Sequence, residues 1–332
     1  MPRPHYRQEY PQVISDRMHD HVGTLPRATN EFMSTVAKSV IILSTKSSGS
    51  SALQELLCRF GGGRHIARTR HSEFESLYWT KAASILGLPQ VRLPDSEVPI
   101  ERQRAARDLV SLLTENVPGF ALPSSELELV FHGWHALCVA HAPTFVEKSP
   151  HHLHQWSCLD LMLQAVDRLS DIDFRFVGLV RNPMDVLYSA WSRWRVSPEV
   201  NERHWVHAYE NLERFRASLP GDRVVTVRYE DLASDPRTAS RLLSALGMPT
   251  VRDGVDRHFH GSSRHKWKDD ESFGFQLRPS AVALAERLGY GRTDLTNESN
   301  WHWPLRRSTT RLGYLALRSL RRGARVLARR TG

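Results

Sequence analysis

Short apolar runs alternate with amphipathic stretches along most of the chain. The run Ser-Val-Ile-Ile-Leu at 39–43 has the length and the β-branched content of a buried strand. Further strands are predicted over 64–67, 144–147, 174–180 and 223–227. A helix opens at Ala52, and helical spacing of apolar residues predicts further helices that end near residues 86, 116, 140, 169, 194, 218 and 247. Strands that alternate with helices favour an α/β fold, with a parallel β-sheet flanked by helices on both faces.

The two ends of the chain differ in composition from its centre. Residues 1–38 are polar and punctuated by proline, which predicts an N-terminal arm, whereas 39–304 carry the α/β pattern. Residues 305–332 combine clusters of arginine with apolar residues at helical spacing, which predicts a basic amphipathic helix. Such a helix either contacts anionic lipid at a membrane surface or packs against its own domain.

The composition narrows the class of partner. The chain has 332 residues and a formal net charge of +9, and this basic balance favours nucleotides, anionic membranes or nucleic acid as partners. The cysteines Cys58, Cys138 and Cys158 form no CxxC pair, so neither a zinc site nor a disulfide framework is expected. No apolar run reaches the length of a membrane span. The simplest expectation is a soluble, cytoplasmic protein.

The most informative stretch follows the first strand and joins it to the next helix. It consists of Lys46, Ser47, Ser48, Gly49, Ser50 and Ser51. Backbone N–H groups of such a loop and of the helix N-terminus point at one spot, where they can bind a phosphate-like anion. Loops of this composition also join strands to helices without a ligand. The lysine precedes the only glycine, so this is not a Walker A motif for ATP or GTP.

Two later strands also end in basic residues. Arg181 follows the strand 174–180, and Ser189 lies eight positions further on, in the next helix. A guanidinium at a strand tip and a hydroxyl two turns into a helix can meet one phosphate. Alternatively, Arg181 pairs with Asp185 and Ser189 is a small packing residue. Lys148 follows another predicted strand, in the string Glu-Lys-Ser-Pro.

In their order and spacing these segments resemble those of the sulfotransferases that use 3′-phosphoadenosine-5′-phosphosulfate (PAPS), in particular the carbohydrate and bacterial type. The resemblance implies the P-loop-like sulfotransferase fold and PAPS as the co-substrate. It implies that the loop 46–51 binds the 5′-phosphosulfate, and that Arg181 and Ser189 bind the 3′-phosphate. It also implies that Lys148 stabilises the charge that develops on the leaving phosphate.

A late basic string, Arg264-His265-Lys266-Trp267, is similar to the loop that closes over the nucleotide in the same family. The resemblance implies that Arg264 and Lys266 meet the 3′-phosphate and that Trp267 forms an apolar cap. The alternative is a basic turn that faces only solvent.

Sulfuryl transfer to a hydroxyl needs a base that removes the proton of the acceptor. By the same resemblance, Glu73 matches the family's catalytic glutamate, and His151 is the second choice. Glu75 lies close by, but with Ser72 three positions earlier it fits a capping box for the next helix. His151 and His154 have helical spacing without a third ligand such as a zinc motif supplies, so no metal site is predicted.

The predicted function is in-line transfer of a sulfuryl group from PAPS to a hydroxyl of a sugar, a glycolipid or a small natural product. One alternative is a P-loop-like small-molecule kinase, and another is a basic module that binds a membrane or nucleic acid. Peripheral membrane contact through the C-terminal helix would suit a glycolipid acceptor, and nucleic acid is the less expected partner. The sequence leaves the oligomeric state open. Aromatic residues that form either an acceptor platform or part of the core are Phe74, Tyr78, Trp79 and Trp134.

Overall fold

The structure is a computed structural model. It describes residues 36–93, 96–249, 259, 264–298, 303, 305, 307–310 and 312–313. The arm predicted over 1–38 and the basic helix predicted over 305–332 therefore lie largely outside the described residues. No helix in the described part of the chain combines the length and the hydropathy of a membrane span.

A parallel sheet of four strands forms the centre of the fold, in the order β2-β1-β3-β4. The strands are β1 (Ala37–Leu43), β2 (Thr144–Lys148), β3 (Ile172–Val180) and β4 (Val224–Arg228). Strand β1 has β2 on one side and β3 on the other, so the loop that follows β1 lies between the ends of its two neighbours. This is the position at which open α/β sheets bind their ligands.

Helices connect and cover the strands. They are α1 (Ser50–Arg59), α2 (Tyr78–Ile85), α3 (Arg102–Asn116), α4 (Glu126–Ala140), α5 (Trp156–Arg168), α6 (Pro183–Trp194), α7 (Pro198–Ala217), α8 (Tyr229–Ser234), α9 (Pro236–Ala245) and α10 (Pro279–Arg287). The start of α6 is encoded locally, because Pro183 occupies the first turn and the side chain of Asn182 accepts a hydrogen bond from the backbone of Met184.

The sheet is buried on both faces, as the apolar strands predict. Alternate residues of β1 point to opposite faces. Ile41 and Leu43 belong to one hydrophobic cluster, which includes residues of α2, α3, α4, α5 and α7. Val40 and Ile42 belong to a second cluster, which includes residues of α1 and α9. The predicted fold class, a parallel sheet with helices on both faces, is confirmed.

The strand predicted over 64–67 is wrong. Only Arg64 pairs with the sheet, as an isolated parallel bridge to Phe145. The backbone N–H groups of Ala67 and Arg68 instead donate to the side-chain oxygen of Asn116, each over 3.0 Å. The side chain of Asn116, the last residue of α3, therefore binds the backbone that follows Arg64, and the pairing with β2 ends at Arg64.

The start of α2 and the predicted aromatic platform also differ from expectation. Helix α2 begins at Tyr78, after Leu77 in a left-handed conformation, so Glu75 does not cap it. Of the four aromatic residues, Tyr78, Trp79 and Trp134 are fully buried and belong to the core, whereas Phe74 is 48% exposed. The buried three therefore belong to the hydrophobic core rather than to an acceptor platform.

Candidate active site

The loop between β1 and α1, residues 44–49, lies between the ends of β2 and β3. Gly49 adopts a left-handed conformation with φ of 89°, and a Cβ atom there would lie 2.5 Å from Cδ2 of Tyr229. Both facts require glycine at this position. The N-cap residue of α1 is Gly49, which has no side chain that could cap the helix. The backbone donors of this helix N-terminus therefore point toward the loop, as in anion-binding helices.

The hydroxyl groups of the β1–α1 loop differ in their surroundings. Ser48 is fully buried, and its Oγ lies 2.7 Å from Oγ1 of Thr45 and 3.4 Å from the hydroxyl of Tyr209. The Oγ of Ser47 is buried without a hydrogen-bond partner among the described residues. Leaving a buried polar group unpaired costs about 1–3 kcal/mol, so Ser47 is a donor for which the loop supplies no acceptor. Ser50 is buried in the first turn of α1.

The end of β2 brings a buried cation to the loop. Lys148 has a fully buried side chain, and its Nζ donates to Oγ of Ser51 over 3.1 Å. The same Nζ lies 3.6 Å from Oε2 of Glu73 and 3.5 Å from Oε1 of Glu75. Ser51 in turn donates a short hydrogen bond to Oε2 of Glu73. The structure thus joins a loop hydroxyl, an ammonium group and two carboxylates in one cluster.

The two carboxylates of this cluster differ in exposure and in pKa. The side chain of Glu73 is 64% exposed, and the hydrogen bond from Ser51, helped by the charge of Lys148, lowers its pKa. The side chain of Glu75 is 16% exposed, and burial raises its pKa although the charge of Lys148 opposes the shift. Glu73 is therefore the carboxylate that is open to solvent and whose pKa is lowered. The capping role predicted for Glu75 is wrong, because α2 starts only at Tyr78.

His151 lies beyond Glu75, with its Nδ1 3.7 Å from Oε2 of that residue. It precedes the 3-10 turn His152–His154, and α5 begins only at Trp156, so the helical spacing expected for His151 and His154 is wrong. Burial, followed by the charge of Lys46, lowers the pKa of His151 well below its ordinary value of 6.5. The exposed Lys46 also acts on the pKa of Glu75, so its charge reaches this part of the cluster.

The segment that carries Glu73 has an unusual backbone. Glu73 and Leu77 have positive φ angles of 58° and 48°, which non-glycine residues adopt only where the surroundings hold them. Buried Glu147 holds this segment, because its Oε1 accepts hydrogen bonds from Ser76 and Ser149 over 2.5 and 2.6 Å. The Oγ of Ser149 accepts a further bond, of 3.0 Å, from the backbone N–H of Leu77. The end of β2 therefore fixes the backbone next to Glu73.

Arg181, directly after β3, reaches the same loop from the other side. Its Nη1 donates to the carbonyl oxygen of Ser47 over 2.9 Å, and its Cζ lies 4.7 Å from the centre of the Tyr229 ring. The ring of Tyr229 is also the group that leaves no room for a side chain at Gly49. One aromatic ring thus contacts both Arg181 and the loop. Ser189 is half-buried on α6.

The late basic string is attached to α6. The backbone N–H of His265 donates to Oδ1 of Asp185 over 2.8 Å. Arg264 is half-buried and Lys266 is exposed. Trp267 is 1% exposed and anchors the string in a hydrophobic cluster, and its role as an apolar cap over the nucleotide stays a prediction. Its neighbours in that cluster include Met184, Leu187 and Trp191.

The part of the chain that the structure describes contains no group of three or more His, Cys, Asp or Glu side chains arranged to bind a metal ion. His154 is 7% exposed. Its backbone oxygen lies 3.3 Å from Nε2 of His207, within hydrogen-bonding distance. The metal-free chemistry thus stays a prediction of the sequence.

The chain belongs to the sulfotransferase family, because the model of the sulfotransferase family matches residues 39–253. This confirms the resemblance found in the sequence and identifies the chain as a transferase. A search among curated proteins found no match.

Solved structures similar to the chain include three sulfotransferases. The sulfotransferase domain from the curacin biosynthetic pathway has a TM-score of 0.50 at 18% identity, over 78% of this chain and 99% of that domain. The sulfotransferase domain of the Synechococcus PCC 7002 olefin synthase has a TM-score of 0.47 at 16% identity, over 76% of this chain and 94% of that one. A sulfotransferase from Mycobacterium avium has a TM-score of 0.40 at 16% identity, over 80% of this chain and 79% of that one. The first comparison agrees with the α/β fold described above.

Proposed function

We propose that the chain transfers a sulfuryl group from PAPS to a hydroxyl group of a sugar, a glycolipid or a small natural product. The observation that carries this proposal is the hydrogen bond of 2.9 Å from Nη1 of Arg181 to the carbonyl oxygen of Ser47. It connects the candidate 3′-phosphate residue with the candidate 5′-phosphosulfate loop. Two adjoining anion sites suit one nucleotide that carries an anionic group at each end.

The residues of the first site fit an anionic group. The carboxylate of Glu73, itself an anion, accepts a hydrogen bond from Ser51 and lies 3.6 Å from Nζ of Lys148. The unpaired Oγ of Ser47 is a further donor. We assign the phosphosulfate to the loop and α1 N-terminus formed by Lys46, Ser47, Ser48, Gly49, Ser50 and Ser51. We assign the 3′-phosphate to Arg181, Ser189, Arg264 and Lys266.

The proposed chemistry uses the ionised carboxylate and the buried ammonium. When bound, PAPS supplies the sulfuryl group that is transferred. Glu73 takes the proton of the acceptor hydroxyl, since its lowered pKa keeps the carboxylate ionised and its side chain is 64% exposed to an incoming acceptor. Lys148 places its ammonium group beside the loop, where it stabilises negative charge on the leaving phosphate. Glu75 balances the charge of Lys148, and His151 is the alternative base.

Thermal unfolding with two nucleotides tests this function against the kinase alternative. Adenosine 3′,5′-bisphosphate should raise the Tm of the full chain, because a ligand that binds only the folded state stabilises it, whereas Mg-ATP should leave the Tm unchanged. Stabilisation by Mg-ATP alone would favour a kinase. Stabilisation by neither nucleotide would leave a basic binding module as the remaining interpretation.

Two further measurements address the acceptor and the membrane. Transfer of radiolabelled sulfate from PAPS to a panel of hydroxyl compounds would identify the class of acceptor. Truncation after Trp303 should preserve nucleotide binding and remove affinity for anionic lipid vesicles, if the C-terminal helix is the membrane contact. A truncated chain that loses nucleotide affinity would contradict this division of roles.

A further inference from the structure

One face of α7 lies against the end of β3, from which Arg181 extends. Trp205 and Tyr209 are four positions apart and share this face, and their ring centroids are 4.8 Å apart. Nε1 of Trp205 donates to the carbonyl oxygen of Arg181 over 3.3 Å. The hydroxyl of Tyr209 donates to the carbonyl oxygen of Leu179 over 2.9 Å. Helix α7 therefore holds the strand end through two side-chain donors.

The hydroxyl of Tyr209 also contacts the β1–α1 loop, 3.4 Å from Oγ of Ser48. Its only proton is donated to Leu179, so toward Ser48 it acts as an acceptor. Ser48 then accepts from Thr45, whose Oγ1 is 2.7 Å away. The fully buried hydroxyl of Ser48 therefore lies between Thr45 in the loop and Tyr209 on α7. One buried hydroxyl thus connects the loop of the first anion site with the strand end of the second.

We propose that Trp205 and Tyr209 are positioning residues that fix the separation of the two anion sites. This fixed separation favours nucleotides charged at both the 3′ and the 5′ position over nucleotides charged at the 5′ position alone. The inference rests on the proposed function. A preorganised pair of sites makes its second contact without further loss of freedom, which benefits a two-ended ligand. A ligand charged at one end gains nothing from the fixed separation.

Conservative variants separate this role from general stability. Tyr209→Phe removes only the hydroxyl, and Trp205→Phe removes the indole donor while keeping an aromatic ring. Tyr78→Phe is the matched control, because Tyr78 is also fully buried and donates its hydroxyl to a backbone carbonyl, that of Val130, over 2.6 Å. That carbonyl belongs to α4 in the core.

Calorimetric titration of the full chain would give the Kd of adenosine 3′,5′-bisphosphate and of adenosine 5′-monophosphate for each variant. Tyr209→Phe should weaken binding of the bisphosphate about tenfold, the size of one good hydrogen bond. It should weaken binding of the monophosphate less than about twofold, since only one site is used. Trp205→Phe should act in the same direction, and Tyr78→Phe should keep the wild-type ratio of the two Kd values.

Equal losses for both nucleotides, or a wild-type ratio in Tyr209→Phe, would overturn the positioning role. If circular dichroism shows that Tyr209→Phe does not fold, the ratio in Trp205→Phe decides in its place. A wild-type chain that binds neither nucleotide would instead refute the proposed function.

Discussion

Arg181 donates a hydrogen bond from Nη1 to the carbonyl oxygen of Ser47 over 2.9 Å, although 134 positions separate the two residues in the chain. The bond connects the end of β3 with the loop after β1, which is the neighbouring strand in the sheet. The guanidinium of Arg181 therefore lies between the end of β3 and the β1–α1 loop, at the boundary of the two proposed anion sites.

Replacing Arg181 by alanine should weaken binding of adenosine 3′,5′-bisphosphate by about 10–100-fold, the range expected for hydrogen bonds to a charged group. Arg175→Ala is the matched control. Arg175 is also on β3 but pairs with Asp173 and Asp222, over 2.9 and 3.1 Å. Calorimetric Kd values should therefore change in the first variant and stay within about twofold in the second. Equal effects of both variants would mean that only the net charge matters.

Glu73→Gln should lower kcat by about 10²–10⁴-fold, because an amide cannot accept the acceptor's proton. Nucleotide affinity should be kept or improved, since the carboxylate of Glu73 now occupies the donors of Ser51 and Lys148. Steady-state measurement of sulfate transfer tests the effect on kcat, and calorimetric titration with the nucleotide tests the effect on affinity. An unchanged kcat would move the base to His151 or Glu75, which His151→Gln and Glu75→Gln would then distinguish.

Gly49→Ala should abolish nucleotide binding. It should also lower the free energy of unfolding by more than the usual cost of an alanine in the left-handed conformation. The reason is the 2.5 Å approach of the new Cβ to the ring of Tyr229. Gly87→Ala provides the comparison, because Gly87 has a φ of 68° with no atom within 4 Å of the added Cβ. It should cost only about 1–2 kcal/mol, the usual penalty of a left-handed residue. Chemical denaturation would show whether the two costs differ as expected.

Buried His154 should make the stability of the fold depend on pH. Burial, with the charge of His204 as the next cause, lowers its pKa from the ordinary value of 6.5 to about 3. Between these values the unfolded chain binds a proton that the folded chain does not, so this contribution to stability is lost as the pH falls from 6.5 toward 3. The slope for one such group is about 1.4 kcal/mol per pH unit.

Urea denaturation of wild type and of His154→Gln at several pH values across this window measures the effect. The variant should show a shallower loss of unfolding free energy on acidification. An identical pH dependence of both proteins would show that His154 does not titrate on unfolding.

The strands of the sheet and the loops at their carboxyl ends were predictable from the sequence, because the residue patterns that determine them are local. The β-branched run at 39–43, Gly49 before α1, and Pro183 after Arg181 each determine their own backbone. The strand predicted over 64–67 is reduced to a bridge at Arg64, and Asn116, distant in sequence, binds the backbone N–H groups of Ala67 and Arg68. The residue preferences within 64–67 contain no information about a hydrogen-bond partner that is distant in sequence.

The cluster around Lys148 was predictable only in part. Glu75 has the spacing of a capping residue from Ser72, and nothing local indicates that its carboxylate lies 3.5 Å from Nζ of Lys148. Tyr209 and Trp205 were missed for a related reason. At helical spacing on α7 they look like ordinary core residues, and they are buried in the core cluster as well. The indole N–H of Trp205 and the hydroxyl of Tyr209 find their hydrogen-bond acceptors only in the folded chain, at the end of β3.

A crystal structure of the chain with adenosine 3′,5′-bisphosphate is the most direct test of the central claim. The account predicts the 5′-phosphate within hydrogen-bonding distance of the β1–α1 loop, and the 3′-phosphate of the same molecule within hydrogen-bonding distance of the Arg181 guanidinium. A nucleotide that contacts only one of these two sites, or that lies elsewhere on the molecule, would contradict the account.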